Sequence, residues 1–64
     1  MEIEVTELVA DGGSVVVFAG LDSDGARVTF AVDHRPAQEL VNAMLNDEEV
    51  IAFVEPWQIM GGVL

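Results

Sequence analysis

The most chemically mixed stretch of the chain joins a predicted strand to a predicted helix and contains Asp33, His34 and Arg35, followed by Pro36. Such junctions often bind ligands. Asp33 could orient the imidazole of His34, and Arg35 could hold an anion at the start of the helix. Alternatively, Asp33 or His34 caps the helix and Arg35 pairs with nearby acids. No Ser or Cys nucleophile is patterned with these residues and a lone His lacks partners for a metal, so we expect no catalytic residue and no metal ligand.

A second acidic segment, Asp22-Ser23-Asp24-Gly25, resembles the opening of a calcium-binding loop. It lacks the third acidic ligand and the closing glutamate of such a loop. Asp and Gly are also the ordinary residues of hairpin turns. We therefore predict a plain turn and no cofactor. A small-ligand or calcium-binding module built on Asp22, Asp24 and the His34 junction stays an alternative.

Two groups of carboxylates could form a face for a basic protein partner: residues 47–49 after the predicted helix, and Glu2, Glu4 and Glu7 near the N-terminus. The alternative is a solvated rim that keeps an apolar protein in solution. The net charge exceeds what the solubility of a small domain needs, so a binding role stays open.

Trp57 follows Pro56 near the end of the chain and is the only tryptophan. Tryptophan is enriched at the energetic centres of protein interfaces, so Trp57 could anchor a partner. It could instead cap the open end of a small core or lie in a self-interface. The candidate partner-binding residues are Trp57, Asp47, Glu48, Glu49, His34 and Arg35.

The overall composition narrows the classes of partner. Twelve Asp and Glu face two Arg and no Lys, for a formal net charge of -10, yet 52% of the residues are hydrophobic. Such a chain should fold, and its charge disfavours nucleic acids and anionic membranes. No phosphate-binding glycine loop is present, and an enzyme is the least expected class. No apolar run is long enough to span a membrane and the N-terminus is acidic, so we expect a cytoplasmic location.

The length predicts self-association. A single domain of about 60 residues buries only about 60% of its unfolded surface and is marginal alone. Small chains add disulfides, metals or a second copy, and this one has no Cys. We therefore expect a homo-oligomer.

Hydrophobic patterning places the residues discussed above on specific elements. The first strand changes phase at residues 7–9, which predicts a bulge or a strand end. In the third strand Val28, Phe30 and Val32 should face the core. Apolar residues recur at helical spacing from Ala37 to Leu45, after Pro36, which is well placed at the first helical position because its missing N–H costs nothing there. The predicted strands are residues 1–5, 14–21, 26–32 and 50–55, with a short fifth strand within 57–64.

The order β-β-β-α-β-(β) predicts a single α+β domain over residues 1–64: a three-stranded antiparallel meander, one helix, and one or two further strands in a curled sheet or small barrel. One helix cannot cover both faces of a sheet, yet strands 14–21 and 50–55 are apolar on both faces. We therefore expect the second face to dock on another copy. The candidate self-interface residues are Val15, Val17, Ala19, Ile51 and Phe53.

The run from Val28 to Gln38, together with residues 54–58, resembles small uncharacterised proteins encoded by bacteriophages of actinobacteria. The resemblance covers about half of the chain. It implies no activity and no functional residues, but it implies a life in the host cytoplasm, where small acidic proteins can bind and inhibit host factors.

We therefore expect a non-enzymatic, self-associating protein that binds a protein partner. A basic protein, such as a host factor that a phage protein would modulate, is the kind of partner that the charge favours. The main alternative is an acidic mimic of nucleic acid that occupies a basic site on a DNA-binding protein. That alternative predicts carboxylates clustered on one face.

Overall fold

The computed structural model describes residues 1–61, which form one five-stranded antiparallel sheet and one helix. The sheet is open, and the predicted order of three strands, one helix and two further strands is confirmed. The elements are β1 (Glu2–Asp11), β2 (Val15–Leu21), β3 (Arg27–Asp33), α1 (His34–Leu45), β4 (Ile51–Phe53), a 3₁₀ turn (Pro56–Gln58) and β5 (Ile59–Gly61).

The strands lie in the order β4-β1-β2-β3-β5, so the two last strands occupy opposite edges of the sheet. The phase break in β1 is a pair of bulges, because the pairing with β2 shifts register between Val5 and Glu7 and again between Leu8 and Ala10. Each bulge adds one residue to the strand and changes the face on which the following side chain lies. As a result β1 continues to Asp11 instead of ending early.

The core lies between the sheet and α1. Phe18 and Phe30 are directly opposite each other on β2 and β3, have no exposed area, and stack with ring centroids 5.8 Å apart. Such cross-strand aromatic pairs stabilise a sheet beyond the area they bury. The predicted orientation of β3 is confirmed for Val28 and Phe30, while Val32 packs against the core and is partly buried. The buried core is Ile3, Val5, Val16, Phe18, Val28, Phe30, Ala37, Val50 and Val54.

Helix α1 begins at His34, two residues before Pro36, so the prediction of Pro36 as the first helical residue was wrong; the helix ends at Leu45. Ala37 is fully buried, and the partly buried residues Leu40, Val41 and Met44 continue the predicted stripe. The prediction was wrong for Leu45, which is 80% exposed. The chain turns away directly after it, because Asp47 adopts a positive φ of 62°, a left-handed conformation that cannot continue a right-handed helix.

The connection from β4 to β5 shows that the sheet is curled. A flat five-stranded sheet is about 19 Å wide. The six Cα–Cα steps from Phe53 to Ile59 reach that distance only when the chain is fully extended, at about 3.4 Å a step. Three of the residues between them form the 3₁₀ turn, which is shorter than extended chain. The two edges must therefore approach each other. Gln58 secures the crossing, since its Nε2 donates to the Ala31 carbonyl at 3.1 Å and its Oε1 accepts from the Glu55 N–H at 2.8 Å.

Candidate functional site: the outer face of the sheet

The face of the sheet opposite α1, here called the outer face, has no element packed over it among residues 1–61. Directly opposed residues of antiparallel strands share a face. Glu4 lies opposite Leu21 on β2 and opposite Ile51 on β4, and Leu21 lies opposite Arg27 on β3. One row across the outer face therefore alternates apolar and charged side chains: Ile51, Glu4, Leu21 and Arg27.

An ion pair crosses the middle of the outer face. The Nη2 of Arg27 on β3 donates to Oε1 of Glu7 on β1 at 3.0 Å, and both side chains are more than half exposed. The pair passes over β2, where Ala19 lies opposite Glu7 and has no exposed area. Long charged side chains cover apolar surface in this way with their methylene stems. The ion pair thus divides the outer face into two halves.

The half that contains the β2–β3 hairpin holds a shallow hollow of about 250 Å³, here called the acidic hollow. Leu21 and Ile51 supply its apolar part and are 38% and 39% exposed. Its charged part comes from three carboxylates and no cation. The acidic hollow is lined by Glu2, Glu4, Leu21, Asp22, Ser23 and Ile51. Sequence reasoning singled out the turn, the two glutamates and Ile51 separately but did not combine them, because the members of the group come from three strands and a turn.

The other half of the outer face contains an apolar strip formed by Val15, Val17 and Ala31, with Ala10 opposite Val17 on β1 and the exposed Asp33 opposite Val15 on β3. Val15 is 37% exposed, and Val17 and Ala31 are partly buried. We call Val15, Val17 and Ala31 the upper strip. It is less covered than a core face because no helix lies over it.

The predicted self-interface is therefore not one continuous patch. Val15 and Val17 lie in the upper strip, whereas Ile51 and Phe53 lie on β4, separated from β2 by the glutamates of β1. Phe53 is 80% exposed and remains available for contact. Ala19 must be removed from the set, since it has no exposed area and so offers no surface to a second copy.

The junction at the start of α1 shows no ligand-binding geometry. His34 is exposed, and its Nε2 lies 3.2 Å from Nε2 of Gln38, one turn along the helix. The Asp33 side chain makes no capping hydrogen bond, so the capping alternative is wrong for Asp33. Arg35 forms no ion pair within residues 1–61, so the alternative pairing with nearby acids is also wrong.

The remaining predicted partner-binding residues are exposed but dispersed. Asp47, Glu48 and Glu49 follow the C-terminal end of α1, whereas His34 and Arg35 begin it. A helix of 12 residues rises about 17 Å between its ends, so these groups do not form one site. Trp57 lies in the 3₁₀ turn and is 80% exposed, so its predicted alternative role as a cap on the core is wrong.

The acidic turn before β3 is a plain hairpin turn. The Oδ1 of Asp22 accepts hydrogen bonds from the backbone N–H groups of Asp24 and Ala26, each at 2.9 Å. Gly25 supplies the positive φ of 82° that the turn requires. Within the part of the chain that the structure describes, no three metal-ligating side chains lie together.

A second groove, of about 410 Å³, lies on the helix side of the sheet between the first half of α1 and β4. Its lining is mostly apolar and includes Phe30, Leu40 and Ala52, and among the described residues that line it Glu39 alone is charged. The groove shows that α1 does not completely cover the β4 edge of the core. Sequence periodicity could not reveal it, because its lining comes from β3, α1, β4 and the 3₁₀ turn, which only the tertiary structure brings together.

No helix within residues 1–61 has the length and apolar character needed to cross a membrane. No protein-family model matches this chain, and the comparisons with curated proteins and with solved structures found no match either.

Proposed function

We propose that this chain is a non-enzymatic protein-binding module that self-associates and that also binds a protein partner in the cytoplasm, as a small modulator of a host factor would. The observation that supports the proposal is the uncovered outer face of the sheet. Other large apolar side chains that are exposed also support the proposal, although single exposed apolar residues are ordinary in soluble proteins. Phe53 and Trp57, each 80% exposed, are aromatic residues of the kind enriched at interface centres.

Self-association is best supported at the upper strip. Val15 and Val17 lie side by side along β2 on the outer face and carry no charge. The glutamates of β1 lie mainly in the other half, so two copies that meet through the upper strip avoid placing Glu2 and Glu4 of one copy against those of the other. Exposed edge and face residues of this kind are what a second copy covers in small oligomeric proteins.

The nucleic-acid mimic is less well supported. A mimic needs carboxylates arranged on one surface, as phosphates are along a duplex. Here Asp11 is the last residue of β1, beside the start of β2, and Asp24 lies in the hairpin at the opposite end of β2, a strand that is about 20 Å long. Asp47 to Glu49 lie beyond the end of α1. This dispersal favours a partner that contacts one part of the acidic surface.

Light scattering on a size-exclusion column, at low and high salt, tests the self-association. We expect a dimer or larger species whose population rises with salt, because screening reduces the repulsion between two chains of charge -10. Val17→Arg should shift the protein to monomer. Leu45→Arg is the matched control, since Leu45 is 80% exposed and lies on α1 away from the outer face. A monomer at every concentration and salt would contradict the self-association.

A further inference from the structure

We propose that the acidic hollow binds a basic segment of the protein partner, with one Lys or Arg side chain of that segment lying in the hollow. The inference rests on the proposed function and deepens it, because it gives the chemistry of the partner and the half of the outer face that it covers. The juxtaposition that supports it is an apolar pair, Leu21 and Ile51, flanking Glu4 on an unpartnered sheet face.

Within residues 1–61, no ion pair reaches a carboxylate of the acidic hollow, and the N-terminal ammonium of Met1 donates to the Val54 carbonyl at 3.0 Å. The chain has two cationic side chains. Arg27 is engaged with Glu7, outside the lining of the hollow. Arg35 follows the opposite end of β3, a strand about 20 Å long. Glu2, Glu4 and Asp22 therefore present three carboxylates to whatever covers this surface.

The apolar part of the acidic hollow defines the occupant further. Leu21 and Ile51 lie on the two strands that flank β1, roughly 10 Å apart, with Glu4 between them. A Lys or Arg side chain combines an aliphatic stem with a cationic head. Its stem can pack on Leu21 or Ile51 while its head reaches the carboxylates. An inorganic cation would satisfy the charge but leave both apolar side chains in water.

Other occupants are less compatible with the same surface. An uncharged apolar segment would remove three carboxylates from water without giving them partners, which is costly. A second copy docked here would bring its own Glu2 and Glu4 against these carboxylates, and like charges in contact disfavour association. The acidic hollow therefore fits a basic foreign segment, while the upper strip remains for the second copy.

Fluorescence anisotropy with a labelled peptide of alternating Arg and Val tests the inference, with a peptide of alternating Glu and Val as the probe control. The double variant Glu2→Gln, Glu4→Gln removes two charges from the acidic hollow. The double variant Glu48→Gln, Glu49→Gln removes the same number of charges from the loop after α1. All four glutamates are exposed, so both variants should fold, which far-UV circular dichroism verifies.

We expect the first double variant to weaken binding of the Arg-Val peptide by about tenfold, from two partly exposed ion pairs, and the second by no more than about twofold. Leu21→Asn should also weaken binding of the Arg-Val peptide, because the aliphatic stem of the bound Arg side chain loses the apolar surface on which it packs. Equal losses in both double variants would mean that the peptide senses only the overall charge, and the inference would be wrong.

Failure of the inference can be separated from failure of the proposed function. Light scattering on the same samples reports self-association through the upper strip, which the Glu→Gln variants do not touch. No binding of the Arg-Val peptide by a chain that still self-associates would overturn the acidic hollow as a basic-segment site and leave the proposed function standing. Tight binding of the Glu-Val peptide would also overturn the inference.

Discussion

A substitution at Gly20 tests how closely β1 packs against β2. It also tests the geometry of the outer face, because Glu4 on β1 is part of that face. A Cβ built on Gly20 would overlap the carbonyl oxygen of Glu4 and lie 2.6 Å from Cγ2 of Ile3. Glu4 is the central residue of the acidic hollow, and Ile3 is fully buried in the core. Replacement of Gly20 by Ala therefore forces β1 away from β2 at the point where core and binding face meet.

The size of the effect follows from these contacts. The 2.6 Å approach to Ile3 is about 0.8 Å shorter than the 3.4 Å at which ordinary contact begins, and the Glu4 carbonyl oxygen is closer still. Because that oxygen belongs to the backbone, β1 itself must move by at least about this amount. Overpacking of a tight site costs about 1–3 kcal/mol. The free energy of unfolding of a chain of this length is about 3–10 kcal/mol. We expect Gly20→Ala to remove about 2–3 kcal/mol, a large fraction of the total.

Urea unfolding followed by far-UV circular dichroism measures this loss as a lower midpoint. Gly12→Ala is the matched control, because its Cβ would meet a single carbonyl oxygen, that of Val15, at 3.3 Å. The control should change the free energy of unfolding by less than about 1 kcal/mol. A change below about 0.5 kcal/mol in Gly20→Ala would refute the close approach of the two strands. The variant should also bind the Arg-Val peptide more weakly, because Glu4 moves.

Three further substitutions test other parts of the structure. Phe30→Ala should lower the free energy of unfolding by about 3–5 kcal/mol and unfold much of the protein, since Phe30 has no exposed area and stacks on Phe18; an unchanged melting temperature would contradict this. Gln58→Ala should cost about 1–2 kcal/mol in urea unfolding, because it removes both hydrogen bonds that secure the crossing from β4 to β5. Trp57→Ala should change stability by less than about 0.5 kcal/mol because the side chain is 80% exposed, and a larger loss would mean that Trp57 packs against the core.

The element order could be predicted because it depends on local patterns. Alternation identified β3 and its core-facing residues, and Gly25 marked the hairpin before it. The helical stripe failed only at Leu45, where the backbone conformation of Asp47 ends the helix and directs the chain elsewhere. The two bulges were visible as a break in phase, but their number was not, because a bulge is defined by the partner strand.

Most of the candidate site could not be predicted from the sequence. β2 is apolar on both faces, so its alternation contains no information on which face receives the helix. The structure places Val16 and Phe18 in the core and leaves Val15 and Leu21 exposed. Ala19 is buried although it lies on the outer face, and the Arg27–Glu7 ion pair that crosses β2 beside it joins residues 20 positions apart, which no local pattern encodes.

The sequence alone determined the local structure and the composition of this protein: its strands, its helix, its turns, and a charge of -10 on a chain that is half apolar. These follow from neighbouring residues and from composition. Only the tertiary structure decided which apolar face stays uncovered, how the sheet curls, and that Glu4 lies between Leu21 and Ile51. The reason is physical, since strand order and register are set by the packing of residues that are far apart in the chain. A strand that is apolar on both faces can turn either face toward the core, and the choice is made only when the helix packs on one of them.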